Sequence, residues 1–160
     1  MENNQLDIEM LKLAFKSSAY SPAKKRKVGA IITCTGTDNI LSSGFNRNLN
    51  LDQDCENING ETYNTVIHAE EDAITCFLND YSNNKEYYFL QKTLYCTFQP
   101  CINCCRLIVI AGITKLVYCN SHKTNFVTPQ IEGELSPKQF LEVKSIEIVH
   151  IPFEIVFPNN

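Results

Sequence analysis

Two short segments of the sequence contain residue types that bind zinc. Cys101 and Cys104 are three residues apart, and we predict that they begin a helix, because Pro100 before them suits an opening turn. An i, i+3 pair on the first turn directs both sulfurs to one side, and the helix dipole lowers the pKa of such thiols. His68, which also begins a predicted helix, is the third candidate ligand. Three ligands leave one tetrahedral position for water, as in a catalytic zinc site.

Glu70 lies two residues after His68 and is the candidate catalytic residue. Zinc lowers the pKa of a bound water. The Glu70 carboxyl would take a proton from that water and return protons to a ring nitrogen and to departing ammonia. Ala69 is small, so we expect it to leave room for a flat base beside the metal. A zinc-bound water beside such a carboxyl is suited to a hydrolytic reaction.

Each segment also has an ordinary structural interpretation. A single Cys-x-x-Cys is a weak signal in a chain with eight cysteines, since cysteine is common in protein cores. A lone histidine before a helix is often a cap or a core residue, and a closed structural zinc site would need a fourth Cys or His. Together, however, the segments match the signature H-x-E…P-C-x-x-C of zinc-dependent base deaminases, which favours a catalytic site.

Periodic apolar residues predict the elements that must position these segments. The sequence indicates an α/β layered domain of about five strands. The predicted helices are 6–16, 68–79, 101–111 and 137–143, and the predicted strands are 28–34, 40–45, 93–97, 115–119 and 146–151. Residues 46–64 are rich in Asn, Asp and Gly and are predicted to form a long loop, which is usually functional or mobile in a compact domain. Residues 79–86 are also predicted to form a loop.

Length and charge narrow the class of protein. The 160 residues suit one domain, 1–160. The acidic start lacks the pattern of a signal peptide, and no apolar run is long enough to cross a membrane, so we expect a cytoplasmic protein with free thiols. The net charge of −4 weighs against a polynucleotide partner. The one dense basic run, 24–27, is interpreted as a phosphate contact through Arg26, a nuclear import signal or a solvated turn.

The sequence resembles the deoxycytidylate (dCMP) deaminases of the cytidine deaminase-like superfamily over a little more than half its length. VGAIIT at 28–33 and LSSGFN at 41–46 are similar to the first hairpin of that family. HAEEDAI at 68–74 and the whole of 94–118 are similar to its zinc-binding helices and the strands beside them. The resemblance implies a three-layer α/β/α fold with a five-stranded mixed sheet, one zinc ion and conversion of dCMP to dUMP, which supplies thymidylate synthesis. It also implies that Asn46 contacts sugar or base and that the chain forms homo-oligomers.

The sequence departs from the pattern of this family at two places. Asp72 stands where the family often has Asn, and Gly44 to Arg47 reads GFNR where a glycine-rich GYNG-type turn is usual. In regulated members this region helps to hold a nucleoside triphosphate effector. The departures weigh against control by dCTP or dTTP.

Other residues have weaker functional interpretations. Tyr118 and His122 follow a strand that should end near the pocket, so we expect that they line it. Cys55 and His122 are a remote candidate for a second zinc site. We predict that Cys105 faces away from the metal, since it lies about 100° from Cys104 around the helix. The remaining cysteines and the last histidine are predicted to be core or structural residues: Cys34, Cys76, Cys96, Cys119 and His150.

Three other functions compete with dCMP deamination. One is deamination of a base in single-stranded DNA or RNA, including tRNA, which shares the zinc chemistry but requires a polynucleotide site. A second is deamination of another small molecule, such as dCTP, guanine or a pyrimidine intermediate of riboflavin synthesis. The third, a zinc-stabilised binding module without turnover, is disfavoured because Glu70 is present.

Overall fold

The computed structural model describes residues 5–81, 86–120 and 133–158. Its helices are α1 (Gln5–Ser18), α2 (Ala69–Tyr81), α3 (Glu86–Phe89), α4 (Ile102–Ile110), α5 (Pro137–Val143) and α6 (Phe153–Val156). Its strands are β1 (Gly29–Cys34), β2 (Ile40–Phe45), β3 (Arg47–Asn48), β4 (Val66–Ile67), β5 (Lys92–Phe98), β6 (Ile113–Asn120) and β7 (Glu147–His150). No helix among these is long and apolar enough to cross a lipid bilayer.

Five strands form one mixed sheet in the order β2-β1-β5-β6-β7. β1 pairs antiparallel with both β2 and β5, whereas β5, β6 and β7 run parallel. The parallel strands are connected through helices, as such connections require. A separate pair, β3 and β4, lies at the two ends of the segment predicted to be a long loop.

Helices cover both faces of the sheet because the inner strands are apolar on both sides. One face packs against α1 and α6 through side chains such as Ile31, Tyr95 and Val117. The opposite face packs against α2, α4 and α5 through the alternate residues, which include Ile32, Leu94 and Leu116. The two faces alternate because successive side chains of a strand point in opposite directions. This arrangement confirms the predicted three-layer α/β/α fold.

A glycine allows α2 to lie directly against β2. A Cβ atom on Gly44 would come within 2.3 Å of the Ala73 nitrogen and 2.6 Å of the Ala69 oxygen, both backbone atoms of α2. The helix therefore approaches the strand more closely than any side chain at position 44 would permit. Since Glu70 lies in the first turn of α2, this close approach positions the candidate catalytic residue relative to the sheet.

The predicted helices and the five main strands are confirmed, with shifts of one or two residues at most ends. α3 and α6 were not predicted, because four residues are too few to show a helical period. The segment 46–64 is a loop over most of its length, but it also contains β3 and an isolated bridge between Glu56 and Thr62. Residues 82–85 of the predicted polar loop lie outside the described residues.

Candidate active site

The two zinc-binding segments meet at the N-terminal ends of α2 and α4. His68 directly precedes α2, and Cys101 is the N-cap residue of α4. The first turn of each helix is closed by a backbone hydrogen bond of 2.9 Å, from the Asp72 N–H to the His68 oxygen and from the Cys105 N–H to the Cys101 oxygen. Helical geometry thus places Cys101 and Cys104 on one side, facing the histidine.

The three side chains have the spacing of a zinc site. The His68 Nδ1 atom lies 3.6 Å from the Cys101 Sγ atom and 3.4 Å from the Cys104 Sγ atom. Tetrahedral zinc, with bonds of ~2.3 Å to sulfur and ~2.0–2.1 Å to nitrogen, separates such ligand atoms by about 3.6 Å. Within the described ranges, no other group of His, Cys, Asp or Glu atoms has spacing suitable for a metal ion. The donor set and its dimensions fit zinc with one position left for water.

Hydrogen bonds among the three side chains stabilise the thiolate form of Cys101. A hydrogen bond from the Cys104 thiol, with a further one from His68, lowers the pKa of Cys101 to about 3. The bond to Cys101 raises the pKa of His68 to about 9 and that of Cys104 well above its ordinary value. Zinc binds thiolates and neutral imidazole, so the protons on His68 and Cys104 must leave when the metal enters.

Glu70 is buried beside this cluster, with 4% of its surface exposed. Burial raises the pKa of its carboxyl group, and a hydrogen bond with the Cys96 thiol partly opposes that effect. A raised carboxyl pKa brings proton uptake closer to neutral pH, as a general base and acid requires. Ala69 between His68 and Glu70 is fully buried, and its side chain occupies little of the space in front of the cluster.

A cavity of about 350 Å³ opens onto these residues. This volume lies in the range of small-molecule sites, which is roughly 300–1,000 Å³. The predicted residues Asn46, Ala69 and Arg26 lie in its wall together with His68, Glu70 and Cys101. The other lining residues are Lys25, Val28, Cys55, Glu56, Thr62, Val66, Phe98 and Gln99.

Asn46 and Arg26 are more exposed than Ala69 and Glu70, and they are connected to each other. The Asn46 side chain donates from Nδ2 to the Arg26 carbonyl oxygen at 2.9 Å and accepts at Oδ1 from the Val28 N–H at 2.8 Å. The Arg26 guanidinium lies over the Phe98 ring, 4.2 Å from its centroid. Stacking of this kind restricts a long side chain without neutralising its charge.

Tyr118 is not among the described residues that line this cavity, and its contact with substrate stays a prediction. Its ring is buried on the α4 and α5 side of the sheet and stacks on the His150 ring at 4.9 Å. It borders a separate narrow crevice with Pro100 and Leu141. Tyr118 points to the face of the sheet that carries α2 and α4, but it lies further along that face, beside α5.

The remaining predictions concern cysteines and histidines outside the ligand cluster. Cys105 is buried and outside the ligand cluster, with its Sγ atom 3.9 Å from the Pro100 carbonyl oxygen, as predicted. Cys96 and Cys119 are buried, and Cys34 and Cys76 are partly buried. His150 contacts the Cys119 oxygen through Nε2 at 2.7 Å. The second zinc site predicted for Cys55 depends on His122, which lies outside the described residues.

Sequence reasoning missed several lining residues. Phe98 and Gln99 directly precede the Pro100-Cys101 segment, so their position in the sequence could have indicated them. Cys55, Glu56 and Thr62 come from the long loop, and nothing in their local pattern marked them.

Known proteins with similar sequences contain the zinc-binding region that the geometry of His68, Cys101 and Cys104 indicates. Residues 4–120 match the family model of the cytidine and deoxycytidylate deaminase zinc-binding region. The chain is 30% identical over 126 residues to deoxycytidylate deaminase of Saccharomyces cerevisiae, which covers 73% of this chain but only 38% of the yeast protein. It is 28% identical over 124 residues to a tRNA-specific adenosine deaminase of Buchnera aphidicola, covering 77% of this chain and 71% of that one.

A solved structure has the same architecture over almost the whole chain. The dCMP deaminase of cyanophage S-TIM5, crystallised with dCMP and dUMP, superposes with a TM-score of 0.74 at 26% identity and covers 94% of this chain and 100% of its own. The family match spans most of the sequence and includes both zinc-binding segments. The chain therefore belongs to the cytidine and deoxycytidylate deaminases, a family of zinc-dependent hydrolytic enzymes.

Proposed function

We propose that this protein deaminates a free cytosine nucleotide, and that its preferred substrate is dCMP. The observation that supports this most directly is that one cavity is lined both by the candidate catalytic residues, His68 and the buried Glu70, and by the basic residues Lys25 and Arg26. A nucleotide has its reactive base at one end and its phosphate at the other. The lining of the cavity contains groups suited to each of them.

Different residues of the site would carry out different steps of the reaction. His68, Cys101 and Cys104 would hold zinc, which when bound lowers the pKa of a water molecule so that it can attack at neutral pH. Glu70 would take one proton from this water and deliver it to ring nitrogen N3 as the new oxygen bonds to C4. It would then transfer the second proton to the amino group, so that the C4–N4 bond breaks and ammonia leaves.

The remaining wall of the cavity would bind and orient the nucleotide. The Asn46 amide uses one N–H and one lone pair of its oxygen on the backbone, so its other N–H and lone pair are available for the sugar or the base. Ala69 leaves space for the flat ring against the metal. Lys25 and Arg26 would bind the phosphate, because ammonium and guanidinium groups pair strongly with phosphate oxygens.

Deamination of adenosine in tRNA is the second candidate, because of the similarity to the Buchnera enzyme. A polynucleotide binder neutralises several phosphates and therefore needs an extended basic surface. This chain has a net charge of −4, and its dense basic run comprises only residues 24–27. The charge distribution therefore favours a substrate with one phosphate group over a polynucleotide.

The test is a substrate panel on zinc-replete protein. Loss of base absorbance would be followed separately with dCMP, dCTP, deoxycytidine, CMP, guanine, a cytosine-containing oligonucleotide and tRNA. We expect turnover chiefly of dCMP. Glu70→Gln should keep its zinc and lose about 10²–10⁴-fold in kcat, which is the usual contribution of general acid–base catalysis.

Two results would contradict the proposal. Full turnover by zinc-loaded Glu70→Gln would remove Glu70 from the reaction. Preferential turnover of another member of the panel would keep the chemistry and replace the substrate. The cytoplasmic location and the homo-oligomer implied by the family resemblance stay predictions, and light scattering would measure the second.

A further inference from the structure

Glu56 is a buried carboxylate in the wall of the cavity, and the reaction as proposed does not use it. Only 7% of its surface is exposed. Its Oε2 atom accepts a hydrogen bond from the Lys24 backbone N–H at 3.0 Å, and its Oε1 atom accepts one from the Lys25 backbone N–H at 3.3 Å. Both oxygens are thus engaged with consecutive peptide groups of the basic segment, more than thirty residues earlier in the chain.

The loop that contains Glu56 is itself held in place. Glu56 forms an antiparallel bridge with Thr62, and the Tyr63 N–H donates to the oxygen of the fully buried Cys55 at 3.0 Å. Before it, the Asn48 side chain donates to the Asp54 carbonyl oxygen at 2.8 Å. The carboxylate is therefore presented from an ordered part of the loop and can act as a fixed anchor.

The Glu56 carboxylate and the Asn46 amide together hold the backbone of residues 24–28, which bears the basic side chains. Glu56 holds the N–H groups of 24 and 25, while Asn46 holds the carbonyl of Arg26 and the N–H of Val28. The Lys25 and Arg26 side chains extend from this stretch into the wall of the cavity. Long cationic side chains bind an anion better when part of their freedom has already been removed before binding.

The negative charge of Glu56 determines whether it contacts the substrate phosphate directly or acts through other residues. A carboxylate next to a bound phosphate is repulsive, so direct contact with that group would weaken binding. Its two oxygens instead accept charge-assisted hydrogen bonds from the backbone, which are stronger than those to a neutral acceptor. Glu56 therefore acts through the residues that it positions.

We propose that Glu56 is a positioning residue that gives the enzyme its preference for a 5′-phosphorylated substrate. By holding the backbone at residues 24 and 25, it places Lys25 and Arg26 against the phosphate of the nucleotide. The inference depends on the proposed function, because it concerns the phosphate end of the same substrate. It assigns part of the specificity of the site to the loop between β3 and β4.

The experiment compares Glu56→Gln with Asp54→Asn on dCMP and on deoxycytidine. Both changes turn a carboxylate into an amide in the same loop, but among the described residues the Asp54 carboxylate pairs only with the exposed Lys24 ammonium, at 2.6 Å. An amide at position 56 presents an NH₂ group to one of the two backbone donors, so one anchor is lost. We expect Glu56→Gln to raise KM for dCMP roughly tenfold, as when one charge-assisted contact is lost.

The same variant should leave kcat/KM for deoxycytidine and the zinc content unchanged, with circular dichroism showing a folded protein at the assay temperature, and Asp54→Asn should resemble the wild type with both substrates. In the double variant with Arg26→Ala, Glu56→Gln should add less to KM than it does alone, because one of the two side chains that it positions is already absent. Equal losses on dCMP and deoxycytidine, or full additivity, would overturn the inference and leave the proposed function standing. Wild-type protein that does not turn over dCMP would overturn both.

Discussion

Arg47 and Asp72 form a partly buried ion pair that joins the start of β3 to the first turn of α2. The Arg47 Nη2 and Nε atoms lie 2.8 and 3.1 Å from Asp72 Oδ1, and Asp72 Oδ2 accepts the Phe45 N–H at 3.2 Å. The Asp72 side chain is 6% exposed and that of Arg47 is 31% exposed. These residues occupy the two places where the sequence departs from the dCMP deaminase pattern. The two unusual residues therefore pair with each other, and the presence of one explains the presence of the other.

We predict that Asp72→Asn lowers the free energy of unfolding by about 1–3 kcal/mol. The change leaves an acceptor for the Phe45 N–H but removes the negative charge beside a guanidinium that is about two-thirds buried, and an unpaired charge there is costly. Urea unfolding followed by circular dichroism would measure the loss.

The Arg47→Ala variant and the variant with both Arg47→Ala and Asp72→Asn complete a double-mutant cycle. Because the two side chains form one interaction, the double variant should be destabilised by clearly less than the sum of the single changes. Additive losses would show that the pair contributes no coupling energy.

We also predict that dCTP and dTTP do not regulate the enzyme. The family resemblance implies that a glycine-rich turn at this place helps to hold the effector in regulated members, whereas here Arg47 begins β3 and its guanidinium pairs with Asp72. Initial rates against dCMP concentration should be hyperbolic and unchanged by either triphosphate with Mg²⁺, apart from competition at the active site. A sigmoidal curve that dCTP makes hyperbolic would contradict this.

Neighbouring cysteines on α4 provide a matched test of the metal site. Cys104 and Cys105 are 2% and 1% exposed, but only Cys104 lies in the ligand cluster. Cys104→Ala should lose bound zinc, measured by atomic absorption after dialysis, together with activity, because two ligands hold the ion much less firmly than three. Cys105→Ala should retain about one zinc per chain, since it removes a buried thiol without removing a ligand. Retention of zinc by Cys104→Ala would refute the ligand assignment.

The close approach of α2 to β2 predicts that Gly44→Ala is among the most damaging substitutions outside the ligands. The added methyl group would overlap the α2 backbone, so the helix must shift away from the strand together with Glu70. We expect a loss of more than about 3 kcal/mol in unfolding free energy, as for severe overpacking, and lower activity in the folded fraction. Gly36→Ala is the control, because no atom lies within 4 Å of the added carbon. Its positive φ of 77° should cost only about 1 kcal/mol.

The sequence by itself determined the metal site and the order of the elements. His68, Cys101 and Cys104 were predictable as a set because together they match the signature H-x-E…P-C-x-x-C, and helical spacing directs the two cysteines to one side. The main strands were predictable because apolar, β-branched runs such as that of β1 are typical of buried strands. The spacing of the cysteines and the composition of the strands are local properties that a residue pattern can specify.

Only the tertiary structure decided which residues share the cavity and which do not. Glu56 reaches the basic segment and Arg47 reaches Asp72 because the loop between β3 and β4 and the turn after β2 fold over the edge of the sheet. Tyr118 points to the same face of the sheet as Ala69 but packs beside α5, outside the described wall of the cavity. Contacts between segments twenty or more residues apart depend on how loops close and how layers pack. No short period in the sequence specifies that path, because many loop conformations share the same polar composition.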